Sequence, residues 1–150
     1  MNKLYSALVS IFLVALCCKT KPGVGEIFIT AEGAIGGYDA VAYFNDNKPV
    51  KGIKEFSHNW KGAEWYFLCS ENLSAFKKSP EKYAPQYGGF CAYGAADGHK
   101  AITEPEAWTI VNGKLYLNYN QEVKKIWLED KDKFIKQADA NWPRVKPQEF

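Results

Sequence analysis

Residues 65–94 read WYFLCSENLSAFKKSPEKYAPQYGGFCAYG and contain Cys69 and Cys91, both cysteines of the part of the chain that is expected to fold. An aromatic strand ends at the first cysteine, and two short helix starts and a Gly-Gly break precede the second. This order can bring two thiols together from opposite sides of a helical excursion. Cys69 and Cys91 are therefore the first candidates for a functional site.

The residues before Cys69 are expected to form a β-hairpin, because two aromatic segments flank Lys61-Gly62. A two-residue turn there aligns three pairs: Trp60 with Ala63, His58 with Trp65, and Phe56 with Phe67. At the rise of a strand, His58 then lies roughly 13 Å from Cys69. That distance is too long for the imidazole and the thiol to share a small metal ion.

The rest of the chain predicts further hairpin strands, short helices and one long helix. Strands are expected at 26–30, at 38–44, and at 108–111 and 114–118 on either side of Asn112-Gly113. Helices are expected at 70–78, from Ser79-Pro80 onward, and at 121–140, where Trp142-Pro143 ends the last one. Residues 94–106 predict a polar loop that carries a solvated His99. The fold class is α+β: a small antiparallel β-hairpin sheet with short inserted helices and one long C-terminal helix.

The composition is that of an ordinary globular domain. The chain has 150 residues, of which 47% are hydrophobic, and this is enough to bury a substantial core. The net charge is +2, with Lys and Arg scattered along the chain. We therefore expect no binding to nucleic acid or to an anionic membrane surface. Asp39 stands in an apolar segment, where it is expected to accept hydrogen bonds from loop amides.

The first residues predict export from the cytoplasm. The first three residues, MNK, carry a positive charge, as in the n-region of a signal peptide. The apolar run Leu4–Leu16 that follows is too short to span a bilayer comfortably and is typical of a signal-peptide h-region. Cys17 and Cys18 follow this run as in a bacterial lipobox, although neither has the usual small residue before it. Lipid anchoring, secretion as a soluble protein and an uncleaved anchor all stay open. The expected location is the periplasm or the outer cell envelope, where disulfides are permitted.

Four segments resemble the YHS-domain family in the form found in exported bacterial proteins. They are GYDAVAYF at 37–44, KGAEWYFLCSENLSAFKKSPEKYAPQYGGFCAYG at 61–94, WTIVNGKLYLNYN at 108–120 and ADANWP at 138–143. The resemblance implies a small metal-binding module. Together with the N-terminal signals, it gives this expected organisation: a signal peptide at 1–18, a linker and first strand at 19–36, a YHS-like domain at 37–143 and a tail at 144–150.

The metal-associated branch of that family implies one cysteine after the aromatic strand and another a few residues into the next helix. Here Cys69 lies one position later than in that pattern, and Asn72 and Leu73 occupy the region of the second cysteine. Cys91, in GGFCAYG, fits the exported branch. This departure from the metal-associated pattern weakens the expectation of metal binding. A metal site, if one is present, is expected at Cys91 and Cys69, whose soft sulfur ligands favour copper or zinc.

Three functional hypotheses follow from these residues. The first is a non-catalytic binding module that holds copper or zinc through Cys91 and Cys69. The second is a structural or protein-interaction domain in which the same cysteines form a disulfide or stay as buried thiols. The third is an enzyme with Cys91 as nucleophile, but no motif places a histidine base or an orienting acid beside it. We therefore expect that the protein is not an enzyme.

Overall fold

The computed structural model describes residues 25–150. The predicted signal peptide at 1–18 and the linker up to residue 24 lie outside the described residues. The helices and strands are β1 (Ile29–Thr30), β2 (Gly33–Ala34), α1 (Ala42–Asn45), β3 (Ile53–Trp60), β4 (Ala63–Phe67), α2 (Ser70–Lys78), α3 (Pro80–Tyr83), α4 (Ala92–Asp97), β5 (Trp108–Val111), β6 (Lys114–Leu117), α5 (Gln121–Glu129) and α6 (Lys131–Val145). Short 3₁₀ turns lie at Ile35–Gly37 and Gln86–Gly89. The predicted α+β class is confirmed.

Within residues 25–150, the strands form three antiparallel two-stranded sheets, β1 with β2, β3 with β4, and β5 with β6. The hairpin predictions at Lys61-Gly62 and Asn112-Gly113 are confirmed, and all four turn residues have positive φ, as this tight turn requires. The pairs Trp60 with Ala63 and His58 with Trp65 are also confirmed. The pairing of Phe56 with Phe67 is wrong, because an irregularity between Ile53 and Ser57 places Ile53 opposite Phe67.

The predicted strand at 38–44 is wrong. Tyr38 makes a single bridge to Lys51, and the chain then turns into α1. The Asp39 carboxylate accepts the backbone N–H groups of Val41 and Ala42, at 2.8 and 3.2 Å. These local bonds hold a turn that starts the helix, and they outweigh the alternating pattern of the segment.

Two further differences concern the predicted loop and the last helix. The start of the predicted loop at 94–106 is helical, as part of α4. The predicted helix at 121–140 is two helices, because Asp130 has a non-helical backbone conformation between them. Pro143 does not end the second helix. The helix continues to Val145, a fully buried residue whose burial favours the extra turn.

Two aromatic clusters fill the interior. Trp65, Phe67 and Phe76 lie in the first, together with residues of α1, β2 and β6. The second contains Tyr87, Tyr116 and Trp127, and it packs α4 against α5 and α6. None of the helices between residues 25 and 150 combines the length and the hydrophobicity needed to cross a bilayer.

The two ends of the described chain meet at Lys100. The ammonium of this largely buried side chain donates hydrogen bonds to the carbonyl oxygens of Gly25, at 2.9 Å, and Gln148, at 2.7 Å. Phe150 packs against the rings of Phe28 and Phe90. The segment 144–150, predicted to be a tail, is therefore packed against the domain.

Candidate functional site

Cys69 is a free thiol at the junction of β4 and α2. It occupies the N-cap position of α2 in an extended backbone conformation, and its carbonyl oxygen accepts the N–H of Leu73. The side chain is partly exposed. Cys69 is therefore accessible to a ligand or a reagent from solution.

Cys91 is a buried free thiol at the N-cap of α4. Its Sγ accepts the backbone N–H of Gly94 at 3.4 Å and donates its own proton to Asn118 Oδ1 at 3.7 Å. The same Asn118 oxygen accepts the N–H of Tyr93 at 3.2 Å, which fixes the orientation of the amide. Cys91 thus acts both as a helix cap and as a donor to a buried amide.

These contacts favour the neutral thiol. Burial raises the pKa of Cys91, and the N–H donated by Gly94 opposes this effect only in part. The contact with Asn118 Oδ1 needs a proton on sulfur, because an amide oxygen cannot donate. A thiolate, the form that binds metals and attacks electrophiles, is therefore disfavoured at this position.

Cys69 and Cys91 differ in burial, the first partly exposed and the second buried. Both are free, so the disulfide considered for Cys69 and Cys91 is not formed in the structure. The imidazole of His58 lies against the ring of Phe76, and the exposed His99 is 3.4 Å from the Asp97 carboxylate. Among residues 25–150, no group of three or more His, Cys, Asp or Glu side chains is arranged to hold a metal ion.

Near Cys69, Asp39 is the polar side chain that accepts the most hydrogen bonds. It is fully buried, and its Oδ2 accepts the N–H of Leu68 at 2.8 Å and the side-chain amide of Asn72 at 2.7 Å. Its Oδ1 holds the start of α1. The expectation that Asp39 accepts loop amides is confirmed, and the carboxylate also ties α1 to the β4–α2 junction where Cys69 lies.

Sequence reasoning missed three polar residues that build this region. Asn118 binds Cys91, Asn72 binds Asp39, and Asn141 donates its amide to the carbonyl oxygens of Ala95 and Ala96 at the end of α4. All three lie within the segments that carry the family resemblance. The sequence signal that could have identified them is an amide side chain inside an otherwise apolar or aromatic motif.

One family model matches part of the chain. Residues 41–87 match the model of the YHS domain. No curated protein and no solved structure matches the chain. The match supports the YHS-domain family for the central part of the chain. It includes Cys69 and ends before Cys91.

Proposed function

We propose that this chain is an exported, non-catalytic binding module of the YHS type. The observation that carries the proposal is the state of Cys91, whose proton is held by Asn118 Oδ1 while its sulfur caps α4. A thiol used in this way contributes to the fold. The accessible thiol, Cys69, is the one that can meet a ligand.

The surroundings of Cys91 also argue against a nucleophile. A catalytic cysteine needs a base within hydrogen-bond reach and a second group that orients the base. Among the residues described, no imidazole and no carboxylate bonds to Cys91 Sγ; its partners are Asn118 and the Gly94 amide. Burial raises the pKa of the Cys91 thiol, and a raised pKa disfavours the thiolate that nucleophilic attack requires.

Soft-metal binding through Cys69 and Cys91 is the second candidate, and the YHS match favours it because it contains Cys69. The two thiols do not fit a closed site, because Cys91 would have to lose its proton and its contact with Asn118. Copper or zinc held by Cys69 would then take its remaining ligands from outside the domain.

Three proteins test both candidates: the wild type, Cys69→Ser and Cys91→Ser. In the folded wild type at about pH 8, we expect a thiol reagent to modify Cys69 and to leave Cys91 unmodified until denaturant is added. Peptide mass spectrometry, without a reducing agent, assigns the modified cysteines. Cys69→Ser should leave no rapidly modified site within residues 25–150.

Metal analysis of the same proteins separates the two candidates. A structural Cys91 predicts equal copper and zinc contents in the wild type and Cys91→Ser. Stoichiometric metal in the wild type that is lost in both variants would instead establish the two-cysteine site. Rapid modification of Cys91 in the folded protein would contradict the structural role.

Export rests on the first residues of the sequence, MNK, the apolar run Leu4–Leu16 and the cysteines that follow it. We propose that the mature protein resides in the periplasm or outer envelope and that a lipid on Cys17 or Cys18 is its only link to a membrane. Mass spectrometry of the native protein should show a processed N-terminus with an added acyl mass. An unprocessed protein in the cytoplasm would contradict export.

A further inference from the structure

A pocket of about 150 Å³ lies at the tip of the β3–β4 hairpin. Its walls combine aromatic rings with charged groups: Glu26, Trp60, Lys61, Glu81, Tyr87 and Trp142. We call it the Trp60 pocket. Neither Cys69 nor Cys91 lines it, so its chemistry is independent of the proposed role of the thiols.

The chain places one of its own cations in this pocket. The ammonium of Lys61 lies 4.6 Å from the centre of the Trp60 ring and 2.8 Å from Glu26 Oε1. An aromatic face and a carboxylate are the two kinds of group that attract an organic cation. Lys61 therefore demonstrates that this corner accommodates a positively charged nitrogen.

Glu26 is held in place and ionised. Its neighbour Phe28 donates its backbone N–H to the carbonyl oxygen of Gly88 at 2.8 Å, which fixes the segment against the pocket wall. The hydrogen bond from Lys61 lowers the pKa of Glu26, and Lys146, at 3.8 Å, acts in the same direction. The carboxylate is thus charged at neutral pH.

The remaining walls suit a small, weakly hydrated cation. The rings of Tyr87 and Trp142 meet edge to face, with centroids 5.7 Å apart, and Glu81 adds a second carboxylate. No described residue makes an ion pair with Glu81 within 4.0 Å. A cavity of about 150 Å³ can hold a molecule the size of benzene, and a methylated ammonium group is of similar size.

We propose that the Trp60 pocket binds a small methylated ammonium ligand, and that Lys61 is an internal competitor that leaves when the ligand enters. The ligand's cation takes the place of the Lys61 ammonium between Trp60 and Glu26. Its methyl groups contact the aromatic walls. This adds a ligand site to the proposed binding module without using its cysteines.

Lys61 can leave at little cost. It lies in the hairpin turn, and its side chain is 37% exposed, so that its ammonium can reach water by rotation of its own side chain. Exposed ion pairs of this kind contribute little to stability, because water screens the charges and two long side chains must be ordered. Removing Lys61 should therefore favour the ligand by freeing the Trp60 face and Glu26 Oε1, while Lys146 stays 3.8 Å from Glu26 Oε2.

Choline titrations followed by NMR test the proposal, with the indole N–H signals of Trp60 and Trp142 as reporters at constant ionic strength. Lys61→Gln is expected to bind choline about tenfold more tightly than the wild type. The matched control is Lys114→Gln, an exposed lysine beside the other hairpin turn, which should leave the wild-type affinity unchanged. Adding Glu26→Gln to Lys61→Gln should remove the gain.

An uncharged isostere of choline, with a quaternary carbon in place of nitrogen, separates cation recognition from simple filling of an apolar space. Equal binding of choline and this isostere would overturn the proposal, as would an absence of choline binding in both the wild type and Lys61→Gln. Should Lys61→Gln fail to fold, Glu81→Gln replaces it. In that variant weaker choline binding than in the wild type supports the proposal, and unchanged binding overturns it.

Discussion

Replacing Asp39 by asparagine is expected to lower the free energy of unfolding by about 3–5 kcal/mol, because the buried carboxylate accepts four hydrogen bonds and an amide can accept at only one of its two positions. The donors are Val41, Ala42, Leu68 and Asn72. Urea unfolding followed by tryptophan fluorescence measures the loss. The value is large because two of the donors would face a new N–H₂ group.

The matched control for Asp39→Asn is Asp46→Asn, at an exposed carboxylate just after α1. This change should alter the free energy of unfolding by no more than about 0.5 kcal/mol. A loss below 1 kcal/mol in Asp39→Asn would show that the carboxylate does not hold α1 to the β4–α2 junction. The claim that the Asp39 carboxylate organises the region beside Cys69 would then be wrong.

Gly88→Ala is expected to lower the free energy of unfolding by about 3 kcal/mol or more, because a methyl group has no room there and the backbone must move. A Cβ at this position would overlap the carbonyl oxygen of Glu26. Gly88 also has φ of +63°, which costs a non-glycine residue further energy. The bond from Phe28 N–H to Gly88 O should be lost, and hydrogen exchange at Phe28 reports that loss.

Gly113→Ala provides the control for backbone conformation alone. Gly113 has φ of +74° in the β5–β6 turn, and a Cβ there would meet no atom within 4 Å. Its expected cost is about 1–2 kcal/mol, from the left-handed conformation only. Equal losses in Gly88→Ala and Gly113→Ala would contradict the close contact between Gly88 and Glu26.

Local signals predicted the parts of the fold that are held by local interactions. The turn pairs Lys61-Gly62 and Asn112-Gly113 determine both hairpins, because few residue pairs adopt two successive positive φ angles readily. Ser79-Pro80 similarly marks the start of α3, with proline in the first turn. Here the sequence pattern and the structure depend on the same short range of residues.

The errors arose where distant residues decide the backbone. Residues 38–44 alternate like a strand, but Asp39 accepts the N–H groups of Val41 and Ala42 in a local turn. Leu68 and Asn72, which are 29 and 33 positions away, bind the other oxygen of the carboxylate and hold it in place. Pro143 would end an isolated helix, but the burial of Val145 against the domain favours another turn. Neither tertiary contact can be read from the local pattern.

In the candidate site, too, the sequence predicted what depends on local residues and missed what depends on distant ones. The sequence singled out Cys91, but its chemical state depends on Asn118, which is 27 positions away and brought near by the β5–β6 hairpin. Spacing alone suggested that Cys69 and Cys91 could meet. In the structure Cys69 is partly exposed at the N-cap of α2, Cys91 is buried at the N-cap of α4, and no disulfide joins them.

Lys100 holds the carbonyl oxygens of Gly25 and Gln148 with a single ammonium. Residues 25 and 148 therefore lie close together, and a short connection would suffice to join them. Domains with adjacent ends tolerate circular permutation and insertion into a loop of another protein. In a circular permutant, the exposed turn at Asn112-Gly113 would serve as the site for the new termini. As an insert in a loop of a host protein, the domain could keep its fold.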